Sequence, residues 1–181
     1  MPPGKPSVHI EVIDVFDDEL ADEQAGELRL HLEKVFASPP DRIFAAFTNA
    51  DELRRWWGPE SFTVPHLRFT VAEGTRYRIT MQPPDGDAFH LGGTFLVVEP
   101  PRRLVFTFAW EEPDPDDQET LVTLSFESAV GGTNLVLDQQ PFKTEPRREL
   151  HRAGWTETLE RLERFLDQDR PRARTDGRPS P

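Results

Sequence analysis

Apolar and polar residues alternate along most of the middle of the chain, which is the pattern of half-buried β-strands. The first example begins at residue 28, where Leu28, Leu30 and Leu32 are separated by polar or charged residues. The same parity continues through Lys34 to Phe36, so Lys34 is expected either at the strand end or facing inward. Turn residues and alternation predict six further strands, at residues 62–69, 75–81, 89–99, 104–110, 120–126 and 133–139.

Two short helices are predicted between the first and second strands. Ser38 precedes two prolines, so we expect it to cap a helix whose apolar stripe occupies positions 43, 44, 46 and 47. A second helical turn from Asp51 to Trp56 is expected to end at Gly58-Pro59, which is a strong stop signal.

The period changes near the end of the chain, where apolar residues are spaced by three and four. Trp155, Leu159, Leu162 and Leu166 form this stripe, and His151 extends it toward the amino terminus. The spacing predicts a long amphipathic helix from about residue 145. Antiparallel strands followed by one amphipathic helix favour an α+β fold in which the sheet wraps around that helix.

The charge of the chain divides it into a domain and two tails. The net charge is -12, and the first 27 residues alone contain eight acids and one base. Acids mixed with prolines disfavour a packed core, so residues 1–27 are expected to be a disordered tail. Residues 168–181, rich in Pro and Arg, are expected to be disordered too. The folded domain is therefore predicted at residues 28–167.

Composition excludes several kinds of function. The acidic balance argues against nucleic acid as a partner, because phosphate binding needs clustered Lys and Arg. The absence of cysteine excludes disulfides, thiol nucleophiles and thiolate metal sites. No apolar run reaches the length of a membrane span and no signal peptide is visible, so we expect no membrane association and a cytoplasmic location.

Six short segments in a particular order carry a resemblance to a known family. They are Val35-Phe36-Ala37-Ser38-Pro39, Trp56-Trp57-Gly58-Pro59, Gly92, Glu99-Pro100-Pro101-Arg102-Arg103-Leu104-Val105-Phe106-Thr107, Gly132-Thr133 leading into Leu135 and Leu137, and finally His151, Gly154-Trp155 and Leu162. With them, residues 28–166 resemble the homologues of the activator of the 90-kDa heat-shock-protein ATPase, within the START/Bet v 1-like (SRPBCC) superfamily. One departure lies at residues 72–75, where a family glycine pair is reduced to Gly74.

The resemblance implies a helix-grip fold, in which a curved antiparallel sheet encloses a deep apolar cavity against the C-terminal helix. One ring of Trp56-Trp57 is expected to fill the core and the other to contact a ligand. Tyr77 shares its parity with Ile79 and Met81, which favours an inward hydroxyl. The candidate ligand-binding residues are Trp57, Tyr77, Met81, Phe95, Phe106, Phe108, Trp110, His151 and Trp155.

Catalytic and metal-binding patterns are missing from the sequence. The five histidines show no metal-ligand spacing, and neither a nucleophile elbow nor a phosphate-binding loop is present. Asp138 and Glu127 fall on the polar parity of their strands, which does not suit acid–base chemistry. We therefore expect no catalytic residues, no metal and no cofactor.

The leading hypothesis is a non-enzymatic protein that holds a small hydrophobic or aromatic molecule in the cavity. One alternative is a co-chaperone role, which rests on the family name alone and is disfavoured because only an acidic segment of 27 residues precedes the domain. A second alternative is an enzyme of the aromatase/cyclase type, in which Tyr77 and His151 would orient a polyketide. Dimerisation through strand edges is left open by the sequence.

Overall fold

The computed structural model describes residues 27–169. Secondary structure runs from Leu28 to Gln168, close to the predicted domain limits. The predicted disorder of the two tails falls almost wholly outside the described residues. Within residues 27–169 there is no helix that combines the length and the apolar character needed to cross a membrane.

The described chain contains seven strands and three helices in the predicted order. These elements are β1 (Leu28–Phe36), α1 (Pro40–Thr48), α2 (Ala50–Trp56), β2 (Leu67–Arg68), β3 (Arg76–Met81), β4 (Phe89–Glu99), β5 (Arg103–Trp110), β6 (Thr120–Ala129), β7 (Gly132–Phe142) and α3 (Glu145–Gln168).

All seven strands form one antiparallel sheet with the order β1-β7-β6-β5-β4-β3-β2. Except for β1 and β7, strands that are neighbours in the sheet are also consecutive in the chain, so most strands are joined by hairpins. β1 returns beside β7, and the two short helices follow it in the chain before β2. The curved sheet, the short helices after β1 and the long final helix confirm the helix-grip, START/Bet v 1-like fold.

The core lies between the concave side of the sheet and α3. Alternate residues of the central strands are buried, such as Leu135 and Leu137 of β7 and Leu124 of β6. They meet the buried stripe of α3, which the three- and four-residue spacing predicted and which includes Leu159 and Leu162. Burial of these alternating positions supplies the main stabilisation of the sheet against the helix.

The close packing of β4 against β5 depends on a glycine. A Cβ atom on Gly93 would lie 1.9 Å from the backbone oxygen of Thr107 and 2.8 Å from Cε1 of Tyr77. The glycine pair in β4 predicted either a bulge or a close backbone approach. The structure shows the close approach at Gly93, and the pairing of β4 with β5 shifts register between Phe95 and Val97.

Two local predictions are wrong. The α1 helix has Pro39 at its N-cap with no side-chain capping bond, whereas Ser38 is buried and its carbonyl accepts a hydrogen bond from Thr133 Oγ1 at 2.7 Å. The strand predicted at residues 62–69 is reduced to Leu67–Arg68 and an isolated bridge at Thr63, because Pro65 lies between them and cannot donate to a ladder.

Candidate functional site

A cavity of about 460 Å³ lies between α3 and the half of the sheet formed by β3, β4 and β5. The sheet contributes Met81, Phe89, Leu91, Phe108 and Trp110, and the segment after α2 contributes Trp57 to Pro59. The helix contributes Arg147, Leu150, His151, Ala153, Gly154, Trp155, Glu157 and Thr158. This volume falls within the range of small-molecule sites, roughly 300–1,000 Å³. Most of the exposed lining is apolar.

A buried polar chain fixes Trp155 in the cavity wall. Its Nε1 donates to Gln139 Oε1 at 2.7 Å, and Gln139 Nε2 donates to Thr120 Oγ1 at 2.8 Å. Gln139 is fully buried, so these bonds form in a medium of low dielectric constant where an unpaired polar group would be costly. The indole N–H of Trp155 is therefore occupied, and the ring serves the cavity as an apolar surface.

Arg161 fixes the chain at Trp57, beside Trp155 in the cavity wall. Its Nη1 donates to the backbone oxygens of Trp57, Gly58 and Pro59 at 3.1, 3.0 and 2.8 Å. Gly58 has a φ of 94°, in the region that favours glycine, which allows the chain to turn after α2. The Trp57 ring then meets Trp155 edge to face at a centroid distance of 5.3 Å.

The two adjacent tryptophans have different places. Trp56 is fully buried and packs against Phe47 at 4.8 Å between ring centroids, inside the core. Trp57 lines the cavity instead. This division follows the sequence expectation of one core ring and one cavity ring.

A row of aromatic rings continues from the cavity wall toward its opening. Phe62 contacts Phe89 at 5.8 Å, Phe89 contacts Trp110 at 5.2 Å, and Trp110 contacts Phe108 at 5.1 Å between ring centroids. Phe62, Phe89 and Trp110 are only partly buried, so parts of their rings face the open space. Such rings offer both apolar area and ring faces to a bound molecule.

His151 is the polar side chain that projects from α3 into this aromatic environment. Its ring lies 5.3 Å from Phe108, 6.2 Å from Trp110 and 5.0 Å from Phe142. Burial, with a smaller contribution from the positive charge of Arg147, lowers the pKa of His151 to about 4. The imidazole is thus neutral near pH 7, and its nitrogens have no hydrogen-bond partner among residues 27–169. A neutral imidazole can donate one hydrogen bond and accept another.

An ionic cluster closes one side of the cavity mouth. Arg147, at the start of α3, donates from Nη2 to Asp116 at 2.6 Å and to Asp114 at 2.8 Å, and its Nε lies 3.2 Å from Asp117. Hydrogen bonding to Asp116 is the main cause that raises the pKa of Arg147, and the same pair lowers the pKa of Asp116. The cluster fastens the loop between β5 and β6 to α3 beside the cavity.

A second polar group lies beside the opening. The potential ligand atoms of His90, Glu111 and Glu112 all lie within 4.8 Å of one another. Their oxygens already have protein partners, because Arg78 binds both oxygens of Glu111 at 2.6 and 2.7 Å and His90 Nδ1 lies 2.6 Å from Glu112. The group is therefore satisfied by internal hydrogen bonds and ion pairs.

Six of the nine predicted ligand-binding residues line the cavity, and three lie elsewhere. Those that line it are Trp57, Met81, Phe108, Trp110, His151 and Trp155. Tyr77, Phe95 and Phe106 instead surround a space of only about 10 Å³ deeper in the core, which they fill together with other apolar side chains. All three are buried in the core and do not line the larger cavity.

Tyr77 also has a protein partner for its hydroxyl. The Tyr77 hydroxyl donates to the backbone oxygen of Thr107 at 2.6 Å, and the ring packs 5.1 Å from Phe95. The enzymatic alternative required Tyr77 and His151 to act together on one molecule. Since Tyr77 does not line the cavity, that pair is not assembled.

Several lining residues were missed by the sequence interpretation. They are Gly58, Pro59, Phe62, Phe89, Leu91, Glu112, Asp114, Asp117, Arg147, Leu150, Ala153, Gly154, Glu157 and Thr158. The helical residues among them share the face of His151 and Trp155, so the three- and four-residue spacing could have found Arg147, Gly154 and Thr158. No such signal exists for the acidic loop between β5 and β6, because carboxylates in a loop are usually solvated. Their role is visible only in the structure, where Arg147 lies beside them.

Comparison with known proteins gives a family for the chain. The family model for activator of Hsp90 ATPase homolog 1-like proteins matches residues 37–167. No curated protein shows significant similarity to this chain.

Solved structures of similar proteins cover nearly all of the described residues. A protein from Chromobacterium violaceum has a TM-score of 0.72 at 22% identity, over 78% of this chain and 98% of its own. The AHSA1 protein from Silicibacter pomeroyi has a TM-score of 0.71 at 28% identity, over 79% of this chain and 100% of its own. A protein from Rhodobacter sphaeroides has a TM-score of 0.67 at 26% identity, over 79% and 95% of the two chains.

Proposed function

This chain belongs to the family of activator of Hsp90 ATPase homolog 1-like proteins, and from that premise we propose that it binds a small apolar or aromatic molecule in the cavity against α3, without catalysing a reaction. The observation that carries the proposal is the unpartnered imidazole of His151 in an open, aromatic-lined space of about 460 Å³. Such a site offers a bound molecule a large apolar surface and one polar contact.

Other polar groups around the cavity are engaged with one another, which favours binding over acid–base catalysis. The Trp155 indole donates to Gln139, Arg147 pairs with the aspartates of the loop, and Glu112 accepts from His90. His151 remains to recognise a hydroxyl or carbonyl group of the ligand. The apolar body supplies most of the affinity, at about 0.025 kcal/mol for each Å² of apolar surface removed from water.

A thermal-shift screen tests this function directly. Lipids, flavonoids and polyketide-like aromatic molecules are each added in excess, and a molecule that binds the folded chain raises its melting temperature in proportion to the logarithm of its concentration. We expect at least one aromatic class to raise the melting temperature.

A pair of variants at Gly154 locates the binding. Gly154 is helical and lines the cavity, and a Cβ at this position would have no atom of residues 27–169 within 4 Å apart from its chain neighbours and the backbone of its own helix. Gly154→Leu is therefore expected to fold and to occupy part of the cavity, whereas Gly154→Ala adds one methyl group and serves as the control. Binding should be lost in the Leu variant and kept in the Ala variant. A lack of any thermal shift across the screen, or equal binding by both variants, would contradict the proposal.

A further inference from the structure

The charged side chains around the cavity are mainly carboxylates. Glu112, Asp114 and Asp117 come from the loop between β5 and β6, and Glu157 comes from α3, while Arg147 is the single Arg or Lys that residues 27–169 contribute to the lining. Since His151 has a pKa of about 4, it adds no positive charge at neutral pH. The lining therefore carries a net negative charge.

The one guanidinium of the lining is not free to bind an anion. Arg147 contacts Asp116, Asp114 and Asp117 at 2.6, 2.8 and 3.2 Å, and its side chain is only 12% exposed. Three carboxylates thus surround one cation. An anionic ligand would have to compete with them for Arg147, and it would meet their repulsion at the same time.

Two further carboxylates line the cavity outside this cluster. Glu112 accepts from the backbone N–H of His90 at 2.9 Å, and hydrogen bonds from His90 lower its pKa, so it is ionised at neutral pH. Glu157 accepts from the backbone N–H of Glu60 at 2.8 Å. Across residues 27–169 no basic side chain forms an ion pair with Glu157.

The row of aromatic rings also favours a positively charged ligand. Phe62, Phe89 and Trp110 are half-buried in the lining, and Trp110 precedes Glu112 by two residues. The face of an aromatic ring carries a negative potential and attracts cations, most strongly for tryptophan. A positive group at this end of the cavity would therefore meet both carboxylates and ring faces.

Resting on the binding function proposed above, we propose that the ligand of this cavity carries a positive charge: an apolar or aromatic body that ends in a protonated amine or a quaternary ammonium group. The body lies among the rings of Trp57, Trp155 and Phe108, and the cation lies toward the carboxylates of the lining, where Glu112 follows Trp110 in the chain and Glu157 is contributed by α3. Anionic molecules of the same shape, such as fatty acids or aromatic carboxylic acids, are selected against.

A matched set of probes separates charge from shape. Naphthylmethylamine, naphthylmethanol and naphthylacetate present the same ring system with a positive, neutral and negative group, and calorimetry at low ionic strength gives a dissociation constant for each. We expect the amine to bind roughly tenfold or more tightly than the acetate, with the alcohol between them. Raising the salt concentration should narrow the difference, because exposed charges are screened.

Neutral variants of Glu112 and Glu157, the two lining carboxylates outside the Arg147 cluster, test their part in the preference. Glu157→Gln and Glu112→Gln should each reduce the ratio of amine to acetate affinity by roughly threefold, while binding of the alcohol stays unchanged. Glu127→Gln is the matched control, since Glu127 is exposed on β6 and does not line the cavity.

The outcomes distinguish this inference from the function on which it rests. If none of the three probes binds to the unmodified chain while the screen above also fails, the binding function itself is wrong. If all three bind with equal affinity, or the acetate binds most tightly, the cavity binds ligands but the inferred positive charge is wrong.

Discussion

Whether an inward-facing polar side chain can bind a ligand depends on whether a protein group already occupies its hydrogen-bonding atoms. Tyr77 is buried and His151 is partly buried among aromatic rings, yet the Tyr77 hydroxyl donates to Thr107 at 2.6 Å whereas the His151 imidazole has no partner in the described chain. Burial reduces the hydrogen bonding of a polar group with water, and a group without a protein partner gains nothing in return. A ligand that hydrogen-bonds to His151 would replace the hydrogen bonds with water that burial removes. Tyr77 gains nothing from such a ligand, because its hydroxyl already has a partner.

The replacement Tyr77→Phe tests this contrast. It removes a buried hydrogen bond and leaves the Thr107 oxygen without that donor, so we expect the free energy of unfolding to fall by about 1 kcal/mol. Urea denaturation measures the change. Ligand affinity should be the same as for the unmodified chain, because Tyr77 does not line the cavity. A loss of ligand affinity without a loss of stability would show that Tyr77 belongs to the binding site.

The depressed pKa of His151 predicts a pH dependence of stability. The folded chain holds this pKa at about 4, whereas the ordinary value for a histidine in an unfolded chain is 6.5. Between these values the unfolded chain binds the proton and the folded chain does not, so stability is complete above pH 6.5 and decreases as the pH falls toward 4. The contribution lost is about 3 kcal/mol at pH 4, since each unit of pKa difference corresponds to about 1.4 kcal/mol.

Denaturation of the unmodified chain and of His151→Gln, at several pH values, isolates this contribution. Other groups, including His31 with its raised pKa, titrate in both proteins and cancel in the difference. The stability difference between the two proteins should change by about 2 kcal/mol between pH 7 and 4.5. A difference that does not vary with pH would show that His151 is as hydrated in the folded chain as in the unfolded one.

Among the elements, the loop between β5 and β6 controls one side of the cavity mouth. Its acidic residues Asp114, Asp116 and Asp117 converge on Arg147 in the first turn of α3. Asp117 is nearly buried, with its side chain 5% exposed, so its carboxylate depends on the guanidinium for compensation. The loop is therefore attached to the helix rather than extended into solvent.

The replacement Arg147→Met removes this attachment while it keeps an apolar stem. We expect the free energy of unfolding to fall by about 2 kcal/mol, because Asp117 loses its cation. Backbone amides of residues 112–118 should exchange with solvent faster, as measured by hydrogen exchange. Arg148→Met is the matched control, since Arg148 pairs with its neighbour Glu149 at 3.1 Å. Equal exchange in the two variants would contradict an anchoring role for Arg147.

The spacing of apolar residues predicted nearly every strand and helix, because the buried side chains of an element recur with the period of that element. It failed where one residue decides the outcome: Pro65 interrupts the ladder after Thr63, and Pro39 rather than Ser38 lies at the N-cap of α1. Lys34, placed at a strand end or inward by parity, pairs with Glu163 of α3 at 2.9 Å. Such long-range partners cannot be read from local spacing.

The same limit applies to the candidate site. Parity placed Tyr77, Phe106 and Phe108 on the inner side of the sheet, and all three are buried. Periodicity does not say where along that side the helix leaves space, because this depends on how α3 lies across the strands. The space opens at the end of the sheet near Phe108 and is filled near Phe106, so two neighbours of one strand differ in role.

At the scale of the whole molecule, one small sheet both packs its core and holds a cavity. The helix is buried against the sheet along its C-terminal half, at residues such as Leu162 and Leu166, and its N-terminal half from Arg147 to Thr158 borders the open space. The fold of this family does not fix a function by itself, since one fold serves many. The function is therefore inferred from the residues that line the cavity.

The indole N–H resonances of the four tryptophans provide the most direct test of that account. Trp57, Trp110 and Trp155 line the cavity, while Trp56 is fully buried in the core and reports on general change. Titration of a ¹⁵N-labelled chain with naphthylmethylamine should shift the resonances of Trp110 and Trp155 most and that of Trp56 least. If no indole resonance moves at high ligand excess, or if Trp56 moves as much as the others, the cavity is not the binding site and the central claim is wrong.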